Sequence, residues 1–144
     1  MLVSQMLKSK PEHGVISVTP TSSVADAAKL LSEHRIGTVV VSSDGVALDG
    51  ILSERDIVRE LGKRGAACLS DPVSALMTAK LTTCSPSNSA LEVLEMMTAG
   101  RFRHLPVMDE GRMVGLISIG DAVKGRLSQL AMEKESLEGM IMGH

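Results

Sequence analysis

Aromatic residues are almost missing from this chain, which has one phenylalanine and no tyrosine or tryptophan among 144 residues. Exposed bases of single-stranded nucleic acid stack on such rings, so the composition argues against that mode of recognition. An excess of positive charge is missing too, because fifteen lysines and arginines face seventeen aspartates and glutamates, for a formal net charge of −2. Nucleic-acid-binding surfaces need a basic footprint. We therefore expect no nucleic-acid partner.

Long apolar segments are also missing. No stretch approaches the roughly 20 apolar residues that span a bilayer, and the N-terminus lacks the apolar region of a signal peptide. The two cysteines, Cys68 and Cys84, form neither a C-x-x-C pair nor a metal-ligand spacing. These absences predict a cytoplasmic protein without a membrane partner or a metal. Ten methionines help to fill a core that lacks aromatic rings.

An internal repeat covers nearly the whole chain. Residues 18–45 align with residues 84–111 at a constant offset of 66. After one additional residue in the first copy the offset becomes 65, and it aligns Gly50–Val58 (GILSERDIV) with Gly115–Val123 (GLISIGDAV). Such duplication predicts two similar structural repeats. The predicted divisions are repeat 1 over 1–66, repeat 2 over 67–128 and a C-terminal helical extension over 129–144.

Both repeats show the same predicted order of elements, β-α-β-β-α. Short strands at 15–18 and 81–83 precede a helix that is capped by a Pro-Ser/Thr cluster. Two further strands are joined by predicted hairpin turns at Asp44-Gly45 and Glu110-Gly111, and the last strand ends at a serine before a second helix. In repeat 2 this helix continues unusually far, through Leu127, Leu130, Leu137 and Ile141.

Neither repeat is long enough to bury its apolar faces well by itself. We therefore expect the repeats to pair about a pseudo-twofold axis, in an α/β fold of the α+β type with an extended C-terminal helix. Such pairing would create clefts between the copies, close to strand ends and helix N-termini. Ligands commonly bind at such positions.

The Ser-x-x-Asp motif, Ser53 with Asp56 and Ser118 with Asp121, has two interpretations. The serine can cap the following helix, worth about 1 kcal/mol. The matching capping box prefers Glu or Gln, because Asp is one methylene shorter, so capping alone leaves an aspartate in both copies unexplained. Alternatively, the carboxylate accepts the two ribose hydroxyls of a nucleoside, and free N–H groups of the helix favour a phosphate.

The stretches that carry these motifs resemble a known family. HRIGTVVVSSDG with GILSERD, GRFRHLPVMDEG with RMVGLISIGD, and the preceding V-S-x-x-M-type segments resemble the CBS domain, and the tandem pair resembles a Bateman module. The resemblance implies a homodimer that regulates an unidentified partner protein. It also implies an adenosyl ligand between the repeats, namely AMP, ADP, ATP or NAD(H), with S-adenosylmethionine a less favoured choice.

Two ligand sites are implied by the resemblance. Site A would comprise Gly14, Ile16, Ile36, Gly37, Arg103, His104, Leu116, Ser118 and Asp121. Site B would comprise Thr38, Leu52, Ser53, Arg55, Asp56, Lys80, Thr82 and Phe102. Similar modules hold phosphate with basic residues at the positions of Arg103 and His104, although a solvated strand edge would also explain this pair. Site B lacks the pair and is expected to take a less charged ligand or stay empty.

Three classes of function follow, and they are distinguishable. The favoured class is a regulatory sensor that binds an adenine nucleotide and changes what a partner protein meets. The second is a structural dimerisation module with no physiological nucleotide. An enzyme is disfavoured, because the sequence offers no nucleophile paired with a general base or a metal.

Overall fold

The computed structural model describes residues 1–10 and 15–141 of the chain. Its contacts divide the chain into two compact units. Unit 1 contains the described parts of Met1–His13, Thr82–Asp109 and Gly115–His144, and unit 2 contains those of Gly14–Leu81 and Glu110–Val114. The units do not follow the predicted repeat boundary, because each takes in a segment from the other repeat.

The described residues form both helices and strands along the whole chain, which confirms the mixed fold class. The helices are α1 (Val3–Ser9), α2 (Val24–His34), α3 (Glu54–Arg64), α4 (Val73–Leu76), α5 (Ala90–Gly100) and α6 (Ile119–Ile141), with a 3₁₀ helix at Gly65–Ser70. The strands are β1 (Ser17–Val18), β2 (Thr38–Val41), β3 (Gly50–Ser53), β4 (His104–Asp109) and β5 (Arg112–Ser118). The long predicted C-terminal helix is present as α6.

Unit 2 contains a three-stranded sheet in the order β1-β2-β3. Strand β2 pairs parallel with β1, placing Val18 opposite Val41, and antiparallel with β3, placing Val39 opposite Leu52. Every residue of β2 is buried. A strand buried on both faces needs a continuous apolar run, and the β-branched sequence TVVV provides one. The core of unit 2 therefore forms around this strand.

Strands β4 and β5 form a two-stranded sheet, with β4 and the end of β5 in unit 1 and the turn and the start of β5 in unit 2. Its strands are joined by the two-residue turn Glu110-Gly111, in which both residues have positive φ, 51° and 76°. Positive φ at both positions is typical of a type I′ hairpin turn, so this predicted turn is confirmed. Leu105, Val107 and Ile117 are fully buried and join the apolar faces of α1 and α5 in one core.

Each short helix at the start of a repeat packs on the core formed mainly by the other repeat. In unit 1 the Val3 and Ser4 N–H groups donate to the carbonyls of Asn88 and Pro86, at 2.8 and 3.0 Å. Free N–H groups at a helix start need such acceptors. Helix α1 also buries Val3 and Met6 almost completely in that core. These contacts attach the N-terminus to the second repeat.

The same arrangement recurs in unit 2. There the Val73 and Ser74 N–H groups of α4 donate to the carbonyls of Ser22 and Pro20, at 2.7 and 3.0 Å. Ser22 and Pro20 lie 66 residues before the corresponding acceptors of unit 1, so the sequence repeat is also a repeat of contacts. Val73 is fully buried. The short helices at the start of the two repeats are therefore exchanged between them.

Two predicted local structures were wrong. Residues 81–83 form no strand, and only an isolated parallel bridge joins Cys84 to Val107. Asp44-Gly45 is not a two-residue hairpin turn, because residues 42–49 form a longer loop between β2 and β3. In this loop Asp44 Oδ1 accepts the N–H groups of Val46 and Ala47, at 2.8 and 2.7 Å. A side chain that bonds to backbone N–H groups two and three residues ahead stabilises a broader turn.

The close packing around Gly50 generates a stability prediction. A Cβ atom there would lie 2.8 Å from the Thr78 carbonyl oxygen, which is held by the Ile51 N–H at 3.0 Å. We expect Gly50→Ala to lower the free energy of unfolding by about 1–3 kcal/mol, because the backbone must shift. Gly62→Ala is the matched control, since its Cβ would meet nothing within 4 Å. The control should raise stability by about 0.5–1 kcal/mol. Urea unfolding measures both, and equal effects would contradict the prediction.

Candidate ligand-binding site

The Ser-x-x-Asp motif of unit 1 joins the end of β5 to the start of α6. The Ser118 N–H donates to Asp121 Oδ2 at 2.9 Å, and the Asp121 N–H donates to Ser118 Oγ at 3.1 Å. These two bonds satisfy N–H groups that have no partner inside the helix. The Asp121 carboxylate is thereby fixed at the helix N-terminus, with its side chain 25% exposed.

Lys10 is the second group that holds this carboxylate. Its Nζ lies 2.9 Å from Asp121 Oδ2 and donates to the Leu116 carbonyl at 3.0 Å. Lys10 directly follows α1, so the packing of that helix on unit 1 brings it to a residue 111 positions away in sequence. The site therefore has a cation that the sequence analysis did not identify.

The surroundings of Asp121 favour its ionised form. Burial is the largest influence and acts to raise the pKa of Asp121, but the Ser118 N–H and the Lys10 ammonium together outweigh it. The pKa of Asp121 consequently lies below its ordinary value. An ionised carboxylate only accepts hydrogen bonds, so this group suits a ligand that offers hydroxyl donors.

The matching motif of unit 2 is more enclosed. The Ser53 N–H and Oγ both donate to Asp56 Oδ2 at 3.0 Å, and the Asp56 N–H donates to Ser53 Oγ at 3.3 Å. Arg59 Nη2 lies 3.4 Å from Asp56 Oδ1. Asp56 is only 8% exposed. Both carboxylate oxygens of Asp56 thus have partners from its own motif or helix. The Asp121 carboxylate, in contrast, is paired with Lys10, which follows α1.

The structure corrects one step of the sequence argument. We expected the capping box to favour Glu or Gln over the shorter aspartate, yet aspartate completes the reciprocal hydrogen bonds in both repeats. The backbone at Ser53 is extended, with φ −104° and ψ 161°, and this lets the shorter side chain reach back to the N-cap N–H. Helix capping is therefore one structural reason for an aspartate at both positions, 56 and 121. A ligand role must rest on what else surrounds them.

The residues predicted for site A fall in both units. Unit 1 contains Arg103, His104, Leu116, Ser118 and Asp121, and unit 2 contains Ile16, Ile36 and Gly37. Gly14 lies outside the described residues. Within unit 1 the Ile119 N–H donates to the Arg103 carbonyl at 2.8 Å, which ties the residue before β4 to the start of α6. Arg103 itself is exposed, and His104 is half-buried.

The residues predicted for site B are also divided. Unit 2 contains Thr38, Leu52, Ser53, Arg55, Asp56 and Lys80, and unit 1 contains Thr82 and Phe102. Leu52 is fully buried in the core of unit 2, so only its backbone could meet a ligand. Thr38 is likewise buried, at 3% exposure. Phe102 packs against the core of unit 1, whereas Arg55, Lys80 and Thr82 are exposed.

Unit 2 also has an open cavity of about 460 Å³ between α2 and α3. Its lining includes Ile36 and Gly37, two residues predicted for site A. Arg35 and Glu54 supply opposite charges to the same lining, and apolar side chains of α2 and α3 supply the rest. Both charged residues lie within the quoted repeat stretches, but neither was predicted as a ligand-binding residue.

Two other kinds of site find no support in the described part of the chain. No three His, Cys, Asp or Glu side chains among residues 1–10 and 15–141 come together in a way that could hold a metal ion. Over the same residues, no helix has the length and apolar character needed to cross a membrane. Both cysteines are unpaired and buried, and burial raises the pKa of the Cys84 thiol to about 11.

The tandem repeats, their exchanged helices and the paired Ser-Asp turns define a family. The CBS-domain profile matches residues 4–63 and 73–128, which together are most of the chain. The protein belongs to the CBS-domain family, as the sequence resemblance predicted. The matched segments leave the last residues of α6 outside both domains.

Similar proteins agree with this assignment. The chain is 34% identical over 148 residues to the "CBS domain-containing protein CBSX3, mitochondrial" of Arabidopsis thaliana, covering 98% of this chain and 72% of that protein. The CBS-domain containing protein ATU1752 from Agrobacterium tumefaciens has a crystal structure that matches with a TM-score of 0.82 and 41% identity, over 88% of this chain and 99% of that one.

Two similar structures contain ligands. CBSX2 in complex with AMP matches with a TM-score of 0.74 and 27% identity, over 88% of this chain and 96% of that one. The CBS domain pair of MJ0100, in complex with 5′-methylthioadenosine and S-adenosyl-L-methionine, matches with a TM-score of 0.73 and 26% identity, over 93% and 98%. All three of these small molecules contain an adenosine moiety.

The contact between Lys10 and Asp121 predicts a titration effect. Because Lys10 helps to lower the folded-state pKa of Asp121, we expect Lys10→Gln to raise that pKa. A depressed folded-state pKa stabilises the protein above the unfolded-state pKa, and this stability is lost as the pH falls through the folded value. The Lys10→Gln variant should have less of this stability, and its loss should be complete at a higher pH.

Carboxyl ¹³C NMR titration of Asp121 measures the effect. Lys8→Gln is the matched control, because Lys8 is an exposed lysine in the last turn of α1. It removes the same charge without touching Asp121. An unchanged Asp121 pKa in Lys10→Gln, or an equal rise in both variants, would show that Lys10 does not hold this carboxylate.

Proposed function

We propose that this protein is a regulatory module that binds an adenosyl ligand through Asp121 and its surroundings. The observation that carries the proposal is the environment of the Asp121 carboxylate. It is held at a helix N-terminus by Ser118, is favoured in its ionised form, and keeps a partly exposed side chain. A capping residue needs the first of these features but neither of the others.

Ribose recognition follows from the chemistry of this group. The 2′ and 3′ hydroxyls of a nucleoside are adjacent donors, and an ionised carboxylate can accept both. In the described part of the chain the side-chain contacts of Asp121 fall on Oδ2, shared by Ser118 and Lys10. The other oxygen, Oδ1, is thus the first acceptor offered to a ribose.

Positive charge near the site favours a phosphorylated ligand. Lys10 Nζ lies within hydrogen-bond distance of Asp121, and exposed Arg103 is tied to the start of α6 through its backbone. The helix N-terminus adds a partial positive charge. Arg103 and His104 would contact the phosphate in this proposal, and Gly14, Ile16, Ile36 and Gly37 would complete the site from repeat 1.

The choice of adenosine rests on relatives. CBSX2 is named as an AMP complex, and the MJ0100 domain pair is named as a complex of S-adenosyl-L-methionine and 5′-methylthioadenosine. AMP leads the proposal for this chain because the site has cations to meet a phosphate. ADP, ATP and NAD(H) share the same adenosine and remain within the proposal, with S-adenosylmethionine less favoured.

Site B would contribute less. Asp56 is almost fully buried and paired with Arg59, and it has no counterpart of Lys10 among its described contacts. A ligand there would have to displace Arg59 and uncover the carboxylate. We therefore propose that site A binds first, with site B empty or holding a less charged adenosyl compound.

Regulation needs a partner, and this part of the proposal rests on the family. A ligand can shift a conformational equilibrium only by its differential affinity for the two states. In the proposal, the adenosyl ligand shifts such an equilibrium in a cytoplasmic homodimer. An unidentified regulated protein binds the two conformations differently and is regulated in this way. Neither catalysis nor a nucleic-acid partner forms part of it.

One observation favours the second candidate, a structural module without a physiological ligand. Both aspartates complete capping boxes, so each has a structural reason to be present. This candidate predicts that no adenosyl compound binds. It also predicts that neutralising Asp121 changes stability only through the helix cap and the ion pair with Lys10.

A thermal unfolding panel with AMP, ADP, ATP, NAD, NADH, S-adenosylmethionine and GMP tests the proposal. A ligand at about 100 times its dissociation constant adds about 2.7 kcal/mol of stability. For a domain of this size we expect the midpoint to rise on the order of 5–10 °C with AMP. GMP should give no rise in the midpoint, since guanine presents different hydrogen-bonding groups from adenine.

Asp121→Asn and Asp56→Asn are the matched variants for this panel. Asparagine keeps an oxygen that can accept the N-cap N–H, but it replaces the second acceptor with a donor. We expect Asp121→Asn to abolish the AMP-dependent rise and Asp56→Asn to keep most of it. A flat panel on nucleotide-free protein would favour the structural module, and equal losses in both variants would contradict the assignment to site A.

A further inference from the structure

Helix α6 carries along most of its length an exposed, largely apolar stripe that the proposed ligand site does not use. Its positions follow one another at alternating steps of four and three residues. They are Val123, Leu127, Leu130, Lys134, Leu137 and Ile141. The five apolar side chains among them are between 42% and 84% exposed. Steps of four and three residues define the a and d positions of a coiled coil.

We infer that this stripe is the contact surface for α6 of a second copy of the chain, packed antiparallel. The inference concerns how the dimer of the preceding section forms, and it does not depend on ligand binding. The helix already continues from a folded unit, so pairing does not have to nucleate it. The apolar side chains of the stripe would then be removed from water along about five turns.

Lys134 argues against a parallel pair. In a parallel coiled coil each a or d residue meets its own counterpart, so two Lys134 ammonium groups would face each other inside the apolar seam. In an antiparallel pair an a residue meets a d residue instead. With Val123 opposite Ile141 of the second copy, Leu127 meets Leu137 and Lys134 meets Leu130. The two lysines are then separated, and their aliphatic stems can cover the leucines.

Charges beside the stripe favour the same orientation. In the antiparallel register Lys124 lies next to Glu138 of the second copy, which gives two attractive pairs per dimer, and the two Glu133 side chains give one repulsive pair. In the parallel register Glu133 lies next to Glu138, which gives two repulsive pairs. Opposite charges at these flanking positions set orientation in coiled coils. Complementary charge and the single buried lysine thus select one arrangement of a second copy.

Sedimentation velocity of the full chain tests the surface. We expect wild type to sediment as a dimer and Leu127→Glu to weaken association about thirtyfold or more, since a charge replaces a buried interface leucine. Met132→Glu is the matched control. Met132 is 64% exposed and Leu127 is 62% exposed, but Met132 points away from the stripe. Circular dichroism confirms that both variants remain folded.

Interchain disulfides test the orientation. In the antiparallel register Ala131 lies beside its own counterpart near the twofold axis, so Ala131→Cys should form a disulfide-linked dimer under oxidation. Leu127→Cys should not, because its two copies lie about 15 Å apart along the axis. The parallel register gives the reverse. The native Cys68 and Cys84 are buried, and oxidation of the wild type measures any disulfide-linked dimer that they form.

Lys134→Leu adds a direct test of the lysine. Removing the buried charge should permit the parallel register, so a disulfide should appear in the Leu127→Cys variant only when Lys134→Leu is added. The inference would be overturned by any of three results. The wild type could be monomeric, or Leu127→Glu and Met132→Glu could have equal dimer dissociation constants. The third such result is a disulfide in the Leu127→Cys variant without Lys134→Leu. Loss of AMP binding with an intact dimer would instead count against the proposed ligand site.

Discussion

The docking of each leading helix on the other repeat is the constraint on which the site depends. The Val3 and Ser4 N–H groups of α1 find their acceptors on the Pro86–Asn88 turn, and Met6 enters the core beside Gly125 of α6. A Cβ atom at Gly125 would lie 2.7 Å from Met6 Sδ, so glycine permits this approach. The end of α1 consequently reaches the start of α6, and Lys10 meets Asp121. Without this packing the carboxylate would keep its cap and lose its cation.

The same carboxylate can serve the fold and a ligand, because the two roles ask for different things. Helix capping needs one oxygen that accepts the Ser118 N–H. Ribose binding needs an ionised group with a further acceptor that solvent can reach. Lys10 supports the ionised state and does not cover the side chain completely. Asp56 is the contrasting case. It is buried and paired with Arg59, so its carboxylate mainly stabilises the fold and is little exposed to a ligand.

Features fixed by near neighbours in sequence were predictable. The Ser-x-x-Asp turns, the buried TVVV strand and the Glu110-Gly111 hairpin each depend on residues a few positions apart. The failures were of two kinds. Residues 81–83 have strand-like composition but form no strand, and the isolated bridge is made by the next residue, Cys84. The Asp44 loop looks like a tight turn in sequence, but the Asp44 carboxylate accepts two backbone N–H groups and widens it. Competition between side chain and backbone for the same N–H groups is not visible in a pattern of residue types.

The sequence by itself determined the duplication, the α-β-β-α order shared by the two repeats, the family and the two serine-aspartate turns. These properties follow from repeated local patterns, which depend on interactions between residues that are close together in the sequence. Only the tertiary structure decided that α1 packs with the second repeat, that Lys10 rather than a nearby residue pairs with Asp121, and that Asp56 is closed while Asp121 is not. Burial and long-range ion pairs depend on which surfaces pack together, and no short stretch of sequence encodes that choice.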